Sequence, residues 1–284
     1  MTASGTTRIA GVMGWPVSQS LSPRLHGCWL ERHGIDGAYL PLPVAPEHFG
    51  QALRVLSQLG FAGVNVTIPH KEAALAAVDE ASALARKVGA VNTVIRRDDG
   101  SLYGENTDGY GFLENLRAAA PAWRADAGPA VVLGAGGAAR AVVVALLDAG
   151  VPAIRLVNRT LERAEALAEA VDGPLSVVSW VGREEALAGA ALLVNTTALG
   201  MDGKGPLTLA LDDLSERAVV NDLVYAPLET PLLAAARSAG HIGVDGLGML
   251  LHQARPGFAA WFGVEPKVDD ALRTFVLAWR AGLR

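Results

Sequence analysis

The feature that most constrains the fold is a glycine-rich turn between a short apolar run and a helical pattern. Residues 130–133 are apolar, and the turn after them leads into a pattern that runs to Asp148. Gly134 permits a tight turn, Gly136 lacks the Cβ that would block a diphosphate, and the small Ala139 allows close helix–strand packing. The spacing predicts a Rossmann-type dinucleotide site. Its cofactor-binding turn is Gly134, Ala135, Gly136, Gly137 and Ala138.

The end of the next predicted strand indicates which dinucleotide is bound. An NAD site usually has a carboxylate there that binds the ribose hydroxyls. This chain has Asn158 instead, followed by Arg159 and Thr160, and by Arg163 three residues later. Guanidinium groups bind phosphate through charge-assisted hydrogen bonds, and no carboxylate repels a 2′-phosphate. Because cations at a helix start oppose the helix dipole, local stability does not explain these arginines. They predict NADP as the cofactor.

Short β-type runs alternate with helical patterns on both sides of the glycine-rich turn. Such alternation is typical of βαβ units with a mostly parallel sheet, and the turn at residues 98–100 predicts one hairpin. We therefore predict an α/β fold of two domains. The first, residues 1–116, is completed by C-terminal helices in residues 249–284. The second, residues 117–248, is the Rossmann domain that binds NADP.

Three local predictions concern helices. Residues 69–88 are predicted to form one helix, and the C-terminal helices are predicted to be interrupted at Pro256 and Pro266. The last helix, residues 268–283, has an apolar face that must pack on another element. We expect it to return to the first domain.

Composition limits the class of protein. Hydrophobic residues make up 51% of the chain and charged residues 19%, which suits large buried cores. The net charge is −5 and no run of Lys or Arg occurs, so no nucleic-acid partner is expected. No apolar stretch reaches the ~18 residues that a membrane helix needs. The N-terminal residues lack the pattern of a signal peptide.

Cysteine and histidine usage points to a protein without a metal. The single cysteine, Cys28, excludes an internal disulfide and a cysteine-based zinc site. The six histidines lack the spacing of paired ligands. We expect a cytoplasmic protein that acts on a small molecule, and the sequence leaves open whether it is a monomer or a homodimer.

Lys71 is the first candidate for acid–base chemistry. It follows the apolar run of residues 63–69, at the carboxyl end of a predicted strand and in the first turn of a helix. Open α/β sheets bind their ligands at this edge. The helix dipole disfavours a protonated amine there, which suits a group that gives up and takes back a proton. The position also fits an ordinary exposed lysine.

Other polar residues stand at the ends of predicted elements on the same sheet edge. Ser22 is predicted to cap the first helix, with Pro23 at its first position, whereas Ser20 has no predicted capping role. Asp108 precedes a helix and Asn92 opens the hairpin, so either side chain could serve only the backbone. As a group, they are expected to lie beside the nicotinamide site.

Several segments, taken together, resemble the shikimate dehydrogenase family of the aromatic amino-acid pathway. They are residues 14–17 (GWPV), 20–23 (SLSP), 63–71 (GVNVTIPHK), 89–93 (GAVNT), 104–109 (GENTDG), 134–138 (GAGGA), 158–160 (NRT), 195–197 (NTT), 200–201 (GM) and 245–249 (DGLGM), with Gln253. They follow in the family's order over most of the chain. The resemblance implies an oxidoreductase that reversibly reduces the ketone of 3-dehydroshikimate to the hydroxyl of shikimate with NADP, on the route to chorismate.

The resemblance also implies roles for individual residues. Lys71 and Asp108 would be the proton-transfer pair, and the first domain would bind the substrate. The residues implied to hold the substrate's carboxylate and hydroxyls are Ser20, Ser22, Thr67, Asn92, Asp108, Tyr225 and Gln253. Further cofactor contacts are implied at Thr196, Leu223 and Gly246. The chain departs from the family at Ala226, where many members have Asn, and at Ala83, where some have an acid.

Two other functions remain open. A quinate or dual quinate/shikimate dehydrogenase shares most of these motifs, although Ser22 in place of Thr and Arg159 in place of Asp favour shikimate and NADP. A non-catalytic protein that senses NADP is the more distant alternative. The presence of both Lys71 and Asp108 argues against it.

Overall fold

The computed structural model describes residues 4–280, which divide into two compact units. One unit contains the residues up to Thr107 and those from Leu251 onward, and the other is Asp108–Leu250. The strands are β1 (Arg8–Gly14), β2 (Gly37–Pro43), β3 (Gly63–Val66), β4 (Glu80–Ala81), β5 (Thr93–Arg96), β6 (Leu102–Glu105), β7 (Ala130–Leu133), β8 (Ile154–Asn158), β9 (Leu175–Ser179), β10 (Leu192–Asn195), β11 (Val219–Asp222) and β12 (Ile242–Val244).

The α-helices of the described residues lie between and after these strands. They are α1 (Ser22–Arg32), α2 (Phe49–Gln58), α3 (Lys71–Ala77), α4 (Ala83–Val88), α5 (Asp108–Ala119), α6 (Gly137–Asp148), α7 (Leu161–Ala170), α8 (Pro231–Ser238), α9 (Leu247–Phe262) and α10 (Asp270–Arg280). Within residues 4–280, none is long and apolar enough to cross a bilayer.

The first unit contains a mixed sheet with the strand order β2-β1-β3-β5-β6-β4. β1 pairs in parallel with β2 and β3, and β5 pairs with β6 in the predicted antiparallel hairpin. β2 is an edge strand. The amide of Val44, just after β2, donates to the carbonyl of Gly14. The even-numbered residues of β2 therefore direct their N–H and C=O groups toward β1. The odd-numbered positions, Pro41 and Pro43 among them, therefore face the open edge.

The second unit contains a parallel sheet in the order β12-β11-β10-β7-β8-β9. Counted from β7, this is the Rossmann strand order, and its topological switch point lies between β7 and β10. Val131, Leu133, Leu193 and Val220 of its central strands are buried in one core cluster. The predicted two-domain α/β fold with a Rossmann sheet is confirmed.

The prediction of one helix over residues 69–88 is wrong, because the short strand β4 separates α3 from α4. α3 ends at Ala77, and the amides of Asp79 and Ser82 donate to carbonyls of Leu102 and Gly104 in β6. Ser82 then caps α4, its hydroxyl accepting from the amide of Ala85 at 3.0 Å. The free edge of β6 therefore pairs with this segment in place of a continuous helix.

Pro256 does not interrupt the C-terminal helices, contrary to the prediction. α9 runs through Pro256 to Phe262, with Phe258 and Trp261 buried beyond the proline. Burying one large apolar side chain contributes about 1.5–3 kcal/mol, so the two together offset the ~3 kcal/mol that an interior proline costs. The break at Pro266 is confirmed, since residues 263–269 separate α9 from α10.

α10 packs against α1 within the first unit. The guanidinium of Arg32 forms an ion pair with Asp269 at 3.0 Å, and the indole of Trp29 donates to the carbonyl of Lys267 at 3.1 Å. Leu272 and Val276 of α10 are buried. Residues from both ends of the chain therefore build the first unit.

Candidate active site

The predicted cofactor turn stands at the switch point of the Rossmann sheet. Gly134 has φ +106°, and a Cβ there would lie 2.6 Å from the hydroxyl oxygen of Thr196, so no other residue fits. Around Gly136 and Gly137 the space within 4 Å of an added Cβ is open. Because α6 starts at Gly137, its unpaired amides face this space and can bind phosphate oxygens.

The two predicted phosphate-binding arginines follow β8. Asn158 ends the strand, and its side-chain amide donates to the carbonyl of Thr160 at 2.7 Å, which shapes the turn into α7. Arg159 and Arg163 are exposed, and in residues 4–280 neither guanidinium has an ion-pair partner. Both can therefore bind a 2′-phosphate without giving up another interaction. The site fits NADP.

The other residues implied to bind the cofactor gather at the same edge of the second sheet. The hydroxyl of Thr196 donates to the carbonyl of Leu133 at 2.6 Å. The amide of Leu223 donates to the backbone carbonyl of Asn195 at 2.9 Å. A Cβ on Gly246 would overlap the carbonyl of Leu223. Glycine is therefore required where the turn after β12 passes the end of β11.

Asp222, at the end of β11, is a site residue that sequence reasoning missed. Its carboxylate accepts from the side chain of Asn195 at 2.9 Å, the hydroxyl of Thr230 at 2.7 Å and the amide of Val224 at 3.0 Å. Burial raises the pKa of this carboxyl above its ordinary value, and the three hydrogen bonds oppose the rise. The acid fixes the segment that carries Tyr225. A charged residue directly after an apolar strand is the signal that could have identified it.

Asn92 and Gln253 are brought together in the first unit, as the resemblance implies. The side-chain nitrogen of buried Asn92 donates to Gln253 Oε1 at 3.3 Å and to the hydroxyl of Thr107 at 3.0 Å. The hydroxyl of Thr107 in turn donates to the backbone carbonyl of Gln253 at 2.9 Å. Asp108, which directly follows Thr107, begins α5 and belongs to the second unit, as does Tyr225.

Lys71 is the first residue of α3 and is half-buried. The turn before it is closed by the amide of His70, which donates to the carbonyl of Thr67 at 2.9 Å. The imidazole Nε2 of His70 donates to the carbonyl of Val44 at 2.7 Å, and its ring stacks on Phe49. The backbone carbonyl of Lys71 accepts from the residue before Asn92, so the two candidates stand on neighbouring backbone segments.

The prediction that Ser22 caps α1 is wrong, whereas Ser20 has no capping role, as predicted. Leu21 occupies the cap position with helical φ and ψ, and no side chain caps it. The hydroxyl of Ser20 instead accepts from the amide of Ser22 at 3.3 Å. The reason is that the turn before α1 is already helix-like, so that Ser22 is a buried residue of the first helical turn and not the cap.

Three buried polar residues near these candidates were not singled out from the sequence. Tyr39, Asn65 and Thr93 are hydrogen-bonded to one another in series. A polar residue inside an apolar strand, such as Asn65 in β3, is the signal for such a group. Within residues 4–280, no group of three or more His, Cys, Asp or Glu side chains could hold a metal ion.

The second unit has a Rossmann sheet with an open glycine turn and two exposed arginines. The first unit presents a lysine and two neighbouring side-chain amides. These features define a dehydrogenase that uses a nicotinamide dinucleotide. Two family models match the chain: the shikimate dehydrogenase substrate-binding domain over residues 12–94, and shikimate/quinate 5-dehydrogenase over residues 121–199. The chain belongs to the shikimate dehydrogenase family.

Relatives and solved structures cover nearly the whole chain. The chain is 62% identical over 275 residues to shikimate dehydrogenase (NADP(+)) of Paramagnetospirillum magneticum, covering 97% of this chain and 100% of that protein. It is 63% identical over 278 residues to that of Rhodospirillum rubrum, covering 96% and 98%. The structure of Thermus thermophilus shikimate 5-dehydrogenase with NADP(H) and shikimate has a TM-score of 0.84 at 39% identity, covering 98% and 100%. Corynebacterium glutamicum quinate dehydrogenase with NAD has a TM-score of 0.87 at 30% identity, covering 97% and 99%.

Proposed function

We propose that the chain catalyses the reversible, NADP-dependent reduction of 3-dehydroshikimate to shikimate. The observation that carries this proposal is the group of Lys71, Asn92 and Gln253 in one unit, since it supplies a proton donor and amides for a hydroxylated ring. Relatives with this activity in their names align with nearly the entire chain at above 60% identity. Two exposed arginines after β8 support NADP as the cofactor.

The proposed mechanism divides the work between proton transfer and binding. When bound, the cofactor supplies or accepts the hydride. Lys71 gives a proton to the ketone oxygen during reduction and takes it back from the hydroxyl during oxidation. We assign Asp108 as the partner of Lys71 in proton transfer. The hydroxyls of Ser20 and Ser22 hold the substrate carboxylate.

The remaining residues bind the ring hydroxyls and the cofactor. We assign Thr67, Asn92, Tyr225 and Gln253 to the hydroxyls. The amides at the start of α6 hold the diphosphate, because the space at Gly136 is open. Arg159 and Arg163 bind the 2′-phosphate, and Thr196, Leu223 and Gly246 line the cofactor's path.

We further propose that residues 1–116 with 249–284 form the substrate domain and residues 117–248 the NADP domain, although residues 108–116 and 249–250 lie in the second compact unit. The enzyme acts in the cytoplasm as a monomer or a homodimer. Size-exclusion chromatography with light scattering distinguishes the two oligomeric states.

The function is tested by measuring initial rates of cofactor reduction with four pairs: shikimate or quinate, each with NADP or NAD. The proposal requires the highest kcat/KM with shikimate and NADP. A preference for quinate would favour the quinate dehydrogenase alternative. NADP binding without turnover of either substrate would favour the sensing protein.

A further inference from the structure

A buried series of hydrogen bonds in the first unit ends on Asn92. The hydroxyl of Tyr39 donates to Asn65 Oδ1 at 2.6 Å. The Nδ2 of Asn65 donates to the hydroxyl of Thr93 at 3.1 Å, and that hydroxyl donates to Asn92 Oδ1 at 3.1 Å. Tyr39, Asn65, Thr93 and Asn92 are all buried. Each donor in the series therefore points from Tyr39 toward Asn92.

The direction of this series determines how the Asn92 amide is oriented. Because the oxygen of Thr93 accepts from Asn65, its proton can be donated to Asn92 Oδ1 at 3.1 Å. The hydroxyl of Thr107, at 3.3 Å, is the other neighbour of the Thr93 hydroxyl. The amide of Thr107 also donates to Asn92 Oδ1, at 2.9 Å. The nitrogen of Asn92 is thereby turned toward Gln253, where a substrate hydroxyl would bind. Rotating the amide by 180° would break several buried hydrogen bonds at once.

The other end of the series is the phenol of Tyr39 in β2, which packs against a side chain of α1. Burial raises the pKa of Tyr39 well above its ordinary value, so the phenol stays protonated and keeps donating to Asn65. Its ring stacks on His26 with centroids 3.9 Å apart and planes within 2°. The phenol therefore has little freedom to rotate.

We propose that Tyr39 is a positioning residue for the substrate, which acts on Asn92 through Asn65 and Thr93. The orientation of one proposed substrate ligand is thus set by a phenol three hydrogen bonds away. The proposal rests on the proposed function, because it takes Asn92 as a substrate ligand. Nothing in the reaction requires Tyr39 itself to touch the substrate.

Two nearly isosteric variants, Tyr39→Phe and Thr93→Val, test the proposal by interrupting the series at different points. Tyr39→Phe keeps the ring on His26, and Thr93→Val keeps the shape of the side chain. Each is expected to raise the KM for shikimate about tenfold, equivalent to one ~1.4 kcal/mol contact. The KM for NADP should change less than about twofold. The control, Tyr103→Phe, removes a phenolic hydroxyl elsewhere in the first unit. It should leave the KM for shikimate and the KM for NADP unchanged.

A double-mutant cycle separates positioning from stability. If Tyr39 acts through Asn92, adding Tyr39→Phe to Asn92→Ala should raise the KM for shikimate by less than about threefold. An unchanged tenfold effect in that background, or a lowered melting temperature with an unchanged KM, would overturn the positioning role. If Asn92→Ala alone leaves the KM for shikimate unchanged, the assignment of Asn92 to the site is wrong, and the positioning role is rejected with it.

Discussion

Replacing Arg159 with alanine should weaken NADP selectively. The guanidinium is exposed and without an ion-pair partner among the described residues, so its removal breaks no other polar contact. Its loss therefore reports on the cofactor alone. Each charge-assisted hydrogen bond is worth about 1.5–3 kcal/mol. Because 1.4 kcal/mol corresponds to a factor of ten, the KM for NADP should rise about 10- to 100-fold.

The assay compares kcat/KM for NADP and NAD at saturating shikimate. NAD lacks the 2′-phosphate, so its kcat/KM should change less than about twofold, and the preference for NADP should fall by the full factor. Arg217→Ala is the matched control, since Arg217 is an exposed arginine of the same unit that precedes β11, at the opposite end of the strands. Its kinetics should match those of the unchanged protein.

Equal losses for NADP and NAD would refute the assignment, because they would mean that Arg159 shapes the turn after β8 and does not read the phosphate. Salt provides a further check. Screening by added salt should weaken NADP binding in the unchanged protein more than in Arg159→Ala.

Three further predictions concern catalysis, helix α1 and acid stability. Lys71→Ala should lower kcat by ~10²–10⁴-fold with a much smaller change in shikimate affinity, and near-normal turnover would exclude Lys71 as the proton donor. Ser20→Ala should lower kcat/KM for shikimate about tenfold. Because Ser20 accepts from the amide of Ser22, this variant should also lose about 1 kcal/mol of stability, a drop in Tm of ~2–4 °C; a lowered Tm with normal kinetics would make Ser20 purely structural. Burial lowers the pKa of His26 from 6.5 to about 3, so between these two pH values only the unfolded chain takes up this proton, and stability falls as the pH falls. In urea unfolding at pH 7 and pH 4.5, His26→Phe should lose about 2–3 kcal/mol less than the unchanged chain, and an equal loss would contradict the lowered pKa.

Features that depend on a few adjacent residues were predictable from the sequence. The turn at Gly134 is one, since its spacing, the strand before it and the helix after it all lie within twenty residues. The α/β, Rossmann-type character of the second unit followed from the repeated strand–helix alternation and the glycine-rich turn. The arginines after β8 were found because the residue type at one position separates NAD from NADP sites.

Features that depend on distant partners were not predictable. Ser22 has the residue type and the proline of a helix cap, but the turn before it decides which way its side chain points. The break after Ala77 depends on carbonyls of β6 that are about 25 residues away. Asn65 signals only that a buried polar group is present, and its partners come from β2 and β5.

The two prolines of β2 have a consequence for association with other chains. An edge strand normally offers free amides and carbonyls on which a foreign strand can assemble, the first step toward fibrils and swapped sheets. At Pro41 and Pro43 the outward positions have no N–H to donate, so a docking strand would find acceptors without the alternating donors that a ladder needs. The edge of the sheet that carries the Tyr39 phenol is thereby protected from pairing with strands of other copies of the chain.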